Sequence, residues 1–258
     1  MRHTFEEISV TSGTAQAKIA PERGALLTSF SLNNTEIFYL DGESFADIAQ
    51  NVHGGIPLLF PNAGLLRGGP YHLPQHGFAR KMPWQVIQQN QNTITLQLFS
   101  NEETRRNYPF DFELKLKIEV VNNKLTHSLT VKNTGNSPMP TAYGTHPYFQ
   151  IPQEEKQLLT TNIGGFSPKD INWMGDFNKP FPNPGLITMK MPRKEIILES
   201  DPDIFKFARI WHQAGKDFIC IEPWTRDDFA LDHPEQSIWV PPDESITLSI
   251  FINAVINK

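Results

Sequence analysis

The chain has 258 residues, with 23 Lys and Arg against 28 Asp and Glu, a net charge of −5. No run of like charges is long enough for a nucleic-acid arm or a membrane patch, so we expect neither nucleic acid nor membrane as a partner. The single cysteine, Cys220, excludes an internal disulfide. The start, Met1–Glu7, lacks the apolar core of a signal peptide, and no apolar stretch reaches bilayer length, which predicts a cytoplasmic protein.

Composition favours strands over helices. The 21 Pro, 16 Gly and 18 Phe suit short strands joined by defined turns. We predict one domain over residues 1–258, built as an all-β sandwich of two large sheets with very little helix. The chain opens with short strands separated by turn residues, which indicates an antiparallel meander. These strands are predicted over residues 5–10, 15–19, 25–32 and 37–40.

Between residues 41 and 83, Gly, Pro and His interrupt every regular pattern. A loop of this length in a compact domain is usually functional, and the apolar run Ile56–Phe60 argues that it is ordered. We therefore expect it to line a site. Residues 151–185 look equally irregular.

A hairpin is predicted over residues 84–87 and 93–99, followed by one short helix at 101–107, the only helix expected. The clearest alternation of apolar and polar residues covers 112–120 and its partner strand 125–131. His127 is in phase with the apolar positions and is expected in the core or a cleft wall. Later strands are predicted over residues 186–189, 195–199, 204–210, 218–221 and 246–250.

His146 lies in A-Y-G-T-H-P-Y-F, between a strand-like run and a turn. Pro147 biases the residue before it toward extended conformations, so the backbone sets the direction of the imidazole. Histidine can hold or release a proton near neutral pH. Considered alone, His146 is better explained as a strand-end histidine satisfied by a neighbour.

Two further stretches make an acid–base role for His146 more plausible. Q-H-G-F-A-R at residues 75–80 supplies His76 and Arg80, although an incidental surface loop would also explain them. I-E-P-W at 221–224 places Glu222 where an apolar strand is expected to end at Pro223. Burial would raise the pKa of this carboxyl group toward that of a general base, while Trp224 could stack on a sugar ring. The alternatives are an ion pair of Glu222 with Arg226 or Arg209 and ordinary core packing of Trp224.

Two histidines and a carboxylate form an acid–base set without a nucleophile. The sequence contains no G-x-S-x-G elbow, P-loop or dinucleotide fingerprint. The candidate residues therefore predict proton-transfer chemistry. A metal site built from His53, His72, His76 and a Glu is a weaker alternative, because strands and loops do not bring residues i and i+4 together as a helix does.

Five motifs together resemble the aldose 1-epimerase, or galactose mutarotase-like, superfamily, most closely its glucose-6-phosphate 1-epimerase-like branch. They stand in the family's order along nearly the whole chain: G-G-I-P-L-L-F-P at 54–61, Q-H-G-F-A-R at 75–80, Y-P-F-D-F at 108–112, G-T-H-P-Y-F at 144–149 and I-E-P-W at 221–224.

The resemblance implies a β-supersandwich with an open carbohydrate cleft and no cofactor or metal. By position, Glu222 would be the base that takes the proton from the anomeric O1 hydroxyl, and His146 the acid that protonates the ring O5. His76 would orient and polarise O5. Ring opening, rotation about C1–C2 and reclosure would exchange the anomers of an aldohexose or its 6-phosphate.

The sequence departs from the family pattern at two places. Val52-His53 stands where sugar-phosphate members carry an arginine, so Arg80, with Arg67 and His53, would have to hold a phosphate. The family's sugar-binding Asp has Asp176 as its first candidate here, with Asp170 and Asp201 as alternatives. The expected partner is thus a small sugar or sugar phosphate, and the protein is expected to be a monomer or homodimer. The rival interpretation is a non-catalytic carbohydrate-binding or sensing protein with the same cleft.

Overall fold

The computed structural model describes residues 3–257, apart from the side chain of Pro234. It is an all-β structure in which every pairing between strands is antiparallel, and the prediction of an all-β fold is confirmed. Within the described range, no helix has the length and apolarity that crossing a membrane requires. The strands are β1 (Ile8–Ser12), β2 (Ala15–Ala20), β3 (Leu26–Leu32), β4 (Thr35–Glu36), β5 (Leu58–Leu59), β6 (Gln85–Gln89), β7 (Thr93–Phe99), β8 (Phe112–Val121), β9 (Lys124–Asn133), β10 (Met139–Thr141), β11 (Gly144–Thr145), β12 (Tyr148–Gln150), β13 (Thr160–Thr161), β14 (Phe177–Pro182), β15 (Leu186–Lys190), β16 (Lys194–Ser200), β17 (Phe207–His212), β18 (Phe218–Trp224), β19 (Ile238–Val240) and β20 (Ser245–Ile256).

Two large sheets dominate the architecture. The larger has eight strands in the order β13-β15-β16-β20-β9-β8-β7-β6, and the second has six, β14-β17-β18-β11-β5 with β12 also paired to β18. The first strands form their own four-stranded sheet, β1-β2-β3-β4, which packs on β7 and β8, and β10 pairs with β19. The alternation in β8 and β9 has its predicted consequence, because Leu114, Leu116 and Leu129 are fully buried.

The long loop of residues 41–83 contains short regular pieces that the sequence did not predict. Helix α1 (Gly42–Ala46) is capped by Asp41, whose carboxylate accepts the Ser44 N–H at 2.8 Å. Helix α2 (Glu102–Asn107) is at the predicted place, with Asn101 and Thr104 as its capping box. The expectation of a single helix was therefore wrong, because five residues of α1 are too few for a periodic signal.

Strand β18 extends beyond its predicted limit, and strand β14 was not predicted. Strand β18 continues through Pro223 to Trp224, so Pro223 does not end it, and Glu222 lies inside the strand. Strand β14 occupies part of the stretch expected to be irregular and includes Pro180 and Pro182. It is the edge of the six-stranded sheet, where a missing backbone N–H is tolerated. These two strands bring polar side chains to the face of the sheet that carries the candidate site.

Candidate functional site

The three residues predicted to carry acid–base chemistry meet at one cavity of about 370 Å³. Strand β18 supplies Glu222, the turn between β11 and β12 supplies His146, and the loop before the 3-10 turn at residues 79–81 supplies His76. The predicted convergence of these residues is present in the structure. The cavity is lined by Asn51, Val52, His53, Pro74, Gln75, His76, Arg80, Lys81, His146, Tyr148, Asn178, Arg209, Trp211, Glu222 and Trp224.

Glu222 is 1% exposed, yet its carboxylate borders the cavity. Because successive strand residues face opposite sides, Glu222 shares the cavity face of β18 with Trp224, whose Nε1–H donates to its Oε2 at 3.1 Å. Burial raises the pKa of Glu222 to about 8, against the opposing effects of Arg209, the Trp224 hydrogen bond and Arg80. Glu222 therefore holds its proton near neutral pH unless a neighbour takes it.

His146 is held at the predicted strand end by its backbone and its ring. Its N–H donates to the Pro57 carbonyl at 3.2 Å, and its ring stacks on Tyr148 at 4.6 Å with an interplanar angle of 8°. Its Nε2 lies 3.5 Å from Oε1 of Glu222. Burial, together with the nearby His76 and Arg80, holds the pKa of His146 well below its ordinary value. The pair is thus close enough to exchange a proton after a small movement.

His76 is fixed as a neutral imidazole. Its Nδ1 contacts the Ala63 carbonyl oxygen, which can only accept, so Nδ1 carries the hydrogen and Nε2 the lone pair. Burial and the nearby Arg80 lower the pKa of His76 to about 3. Gly77 has φ +64, and a Cβ there would collide with the Phe60 carbonyl, so the glycine lets this loop pass close to β5. In this tautomer, His76 can accept a hydrogen bond from a sugar hydroxyl.

Arginines give the cavity positive charge. The Arg80 guanidinium donates to the Gln75 carbonyl at 3.2 Å, and its Nε–H is buried without a partner. Lys81 borders the cavity nearby. Burial lowers the pKa of Arg80 to about 10, so it remains a cation at neutral pH. A buried guanidinium donor without a partner is suited to an anionic ligand group.

Arg209 is a cavity residue that sequence reasoning considered only as an ion-pair partner of Glu222. It lies directly across from Glu222 in the β17–β18 register. Its Nη2 binds Asp228 at 2.5 Å, and its guanidinium covers the Trp224 ring at 4.4 Å. Arg209 thus makes no direct ion pair with Glu222 but holds the tryptophan that donates to it.

The sequence analysis gave no role to several other lining residues, among them Tyr148, Asn178, Trp211 and Lys81. Asn178 accepts the Arg209 Nη1–H at 3.0 Å from the edge strand β14. The proline-rich sequence of that strand hid its regular structure, and with it the position of Asn178. Tyr148 could have been found in the sequence, because it follows His146 at i+2 and so shares its face.

Several predicted binding residues do not border the cavity. Arg67 is exposed and stacks on Phe229 at 4.2 Å, and Asp176 is exposed and accepts the Ala214 N–H at 2.9 Å. The alternatives Asp170 and Asp201 are also exposed and outside the lining. His53, Arg80 and Trp224 border the cavity as expected.

The alternative metal site is not assembled from its predicted residues. His72 is exposed and outside the cavity lining, apart from His53 and His76. A different group, His146, Cys220 and Glu222, has metal-ligand spacing among the described residues.

A second hollow of about 520 Å³ lies beyond Pro74 and Lys81, but none of the predicted catalytic residues lines it.

Known proteins share this fold. A structure of the Synechocystis protein Slr1438 is 28% identical, has a TM-score of 0.91, and aligns with 99% of this chain and 98% of its own. A galactose mutarotase related enzyme from Lactobacillus acidophilus, 22% identical, has a TM-score of 0.81 over 98% of both chains and supports the fold alone.

Relatives identified by sequence include a LacX protein and a protein named as an epimerase. Plasmid protein LacX of Lactococcus lactis is 28% identical over 251 residues, covering 75% of this chain and 83% of its own. A Salmonella typhimurium protein with the provisional name glucose-6-phosphate 1-epimerase is 24% identical over 173 residues, which is 66% of this chain and 55% of that protein. The match therefore spans about half the length of that relative. Residues 6–168, more than half of the chain, match the family described as aldose 1-epimerase, and the chain belongs to this family.

Proposed function

We propose that the protein interconverts the α and β anomers of an aldohexose, with the hexose 6-phosphate as its preferred substrate. The observation that carries the proposal is the buried His146–Glu222 pair, separated by 3.5 Å at a cavity also bordered by Arg80, Lys81 and Arg209. The ring oxygen and the anomeric hydroxyl are attached to the same carbon, so an acid and a base this close together can reach both.

One proton shared by the pair is sufficient for the reaction. In the reactive arrangement His146 is protonated and Glu222 is a carboxylate. Glu222 takes the O1 proton, the C1–O5 bond breaks as C1=O1 forms, and His146 protonates O5. The pair is then protonated Glu222 with neutral His146, the distribution that burial favours, since burial raises the pKa of Glu222 and lowers that of His146.

Ring closure follows the same steps in reverse. After rotation about C1–C2, neutral His146 takes the proton from O5 and protonated Glu222 returns one to O1, so the pair regains its starting state. Neutral His76 accepts a hydrogen bond from a sugar hydroxyl, while Trp224 holds Oε2 of Glu222 through its indole N–H. No net charge is created in either direction.

The preference for a phosphorylated sugar is supported by charge. Three cations border the cavity, Arg80, Lys81 and Arg209, with Glu222 as the acidic side chain in the lining. Part of this positive charge is neutralised within the protein, since Arg209 forms ion pairs with Asp227 and Asp228. Arg80, with its partnerless Nε–H, is therefore the main candidate for the phosphate, assisted by Lys81 and His53.

The test is anomer exchange measured by two-dimensional NMR for glucose, galactose and glucose 6-phosphate. We expect catalysis with the highest kcat/KM for glucose 6-phosphate. Arg80→Met should lower that value by roughly 10- to 100-fold and change the glucose value little, because a buried charged hydrogen bond contributes about 1.5–3 kcal/mol. Arg67→Met, a surface control outside the cavity, should leave both values unchanged. Equal losses for glucose and its phosphate in Arg80→Met would refute the phosphate role.

The non-catalytic sugar-binding alternative uses the same cavity. The spacing of His146 and Glu222 favours the enzyme, because binding alone requires no acid next to a base. Sugar binding without acceleration of anomer exchange in the unmodified protein would decide for the alternative.

A further inference from the structure

A third ligand-type side chain, Cys220, lies next to the acid–base pair, and the epimerase mechanism does not use it. Cys220 precedes Glu222 by two residues on β18, so both face the same side of the sheet. One donor atom each from His146, Cys220 and Glu222 lies within 4.8 Å of the others. A nitrogen, a sulfur and an oxygen thus converge where the chemistry requires only two of them.

This donor set matches zinc chemistry. Zn²⁺ binds His nitrogen, Cys sulfur and carboxylate oxygen at about 2.0–2.3 Å in tetrahedral geometry. Nε2 of His146 and Oε1 of Glu222 are already 3.5 Å apart, close to the separation of two ligands on one zinc ion. The remaining donor separations, at most 4.8 Å, require the side chains to draw together by roughly 1 Å. The fourth position would be occupied by water.

The surroundings of the group also fit a metal ligand. His146, Cys220 and Glu222 are 6%, 0% and 1% exposed, so bulk water has little access to the three donor groups. Trp224 binds Oε2 of Glu222, which leaves Oε1 facing the histidine. The cavity reaches His146 and Glu222, so an ion can enter from the substrate side and meet Cys220 last.

We propose that His146, Cys220 and Glu222 form an inhibitory site for Zn²⁺ and the related soft ion Cd²⁺. Binding releases the thiol proton and the proton shared by His146 and Glu222 to solvent. The ion then occupies the lone pairs that would move the substrate's protons, and anomer exchange stops. Inhibition rests on the proposed epimerase function, whereas metal binding does not.

The chain offers a direct spectroscopic test because Cys220 is its one cysteine. Cd²⁺ titrated into the reduced, full-length protein should produce the near-ultraviolet thiolate-to-cadmium charge-transfer absorption, saturating at one equivalent. Cys220→Ala and the nearly isosteric Cys220→Ser should abolish this band while keeping their circular dichroism and basal epimerase activity. Absence of the band in the unmodified protein would overturn the proposal.

Calorimetry and inhibition complete the test. Loss of the thiolate should weaken Zn²⁺ binding by more than about tenfold, because thiolate ligands favour zinc strongly. In Cys220→Ser, the Zn²⁺ concentration that gives half-inhibition should be correspondingly higher. In the control His72→Ala, which removes an exposed histidine, that concentration should not change. Equal inhibition of the unmodified protein and Cys220→Ser would place the inhibitory ion elsewhere and refute the site. If the protein proves not to be an epimerase, the cadmium band and the calorimetry still decide on metal binding.

Discussion

Nε2 of His146 and Oε1 of Glu222 lie 3.5 Å apart, although the two residues come from distant parts of the chain. Strand β18 pairs with both β11 and β12, the strands on either side of His146, and so brings the two side chains together. At this separation, the protons of the pair belong to both groups, and their titration is coupled.

The first prediction concerns the pH dependence of catalysis. Burial raises the pKa of Glu222 to about 8, so the pair loses its one shared proton above that pH. We expect kcat/KM to be flat through neutral pH and to fall above about pH 8, after subtraction of the uncatalysed rate. A rate that continues to rise above this value would mean that Glu222 must first lose its proton, contrary to the shared-proton mechanism.

The second prediction concerns stability. The pKa of Glu222 is raised on folding from 4.5 to about 8, so the folded state keeps a proton that the unfolded chain releases. Its stabilising effect is present below about pH 4.5 and is lost as pH rises through about 8. Glu222→Gln cannot ionise and should therefore melt higher than the unmodified protein at about pH 9, with a smaller difference at about pH 5.

Differential scanning calorimetry at both pH values measures the effect. Glu195→Gln, at a partly exposed position on β16, is the surface control measured in parallel. A melting difference for Glu222→Gln that is constant with pH would contradict the raised pKa.

The third prediction concerns Arg209, which acts on Glu222 as a positioning residue. Its positive charge lowers the pKa of Glu222, and its guanidinium holds Trp224. Arg209→Met should raise the pKa of Glu222, so the alkaline fall in kcat/KM should move to higher pH. The same substitution should also lower activity. Arg209→Lys should shift the profile less because it keeps the charge.

Arg226→Met provides the matched control for the Arg209 variants. Arg226 is half-buried and lies outside the cavity lining, so its loss should leave the pH profile unchanged. Identical profiles for Arg209→Met and the unmodified enzyme would exclude the positioning role of Arg209.

The fourth prediction concerns Arg23, which organises the loop leading to the cavity. Arg23 is 4% exposed and donates to the carbonyl oxygens of Ser44, Phe45, Asp47 and Gln50 at 2.8 to 3.1 Å. The loop continues directly into the lining residues Asn51 to His53. Arg23→Met should raise KM severalfold with little change in kcat, and lower the free energy of unfolding by roughly 2–3 kcal/mol.

Steady-state kinetics and denaturant unfolding check both effects of Arg23→Met. Arg193→Met removes an exposed arginine that pairs with Glu155 on the surface, and both quantities should remain as in the unmodified protein. A fall in kcat with unchanged KM would indicate that Arg23 affects the chemistry rather than the shape of the cavity.

The sequence predicted those parts of the fold and site whose signals are local. The alternation in residues 112–131 identified the β8–β9 hairpin because one face of each strand is buried. His146, His76 and Glu222 were found because each lies in a short motif with Gly or Pro beside it. The single-domain organisation and the oligomeric state remain predictions.

The parts that sequence reasoning missed depend on long-range pairing. Asn178 borders the cavity only because a proline-containing strand joins the edge of a sheet, and Asp176, two residues earlier, is directed to Ala214 instead. Arg209 is placed opposite Glu222 by the register of β17 with β18. No period in one segment encodes such a register, so neither residue could be placed from the sequence alone.

The most direct test of the account is anomer exchange of glucose 6-phosphate by NMR with Glu222→Gln, alongside calorimetric binding of the same sugar phosphate. Since positioned acid–base groups contribute roughly 10²–10⁴-fold, the exchange rate should fall by at least about a hundredfold while binding changes little. Near-normal exchange in a folded Glu222→Gln protein would contradict the assignment of Glu222 as the base, and with it the proposed mechanism.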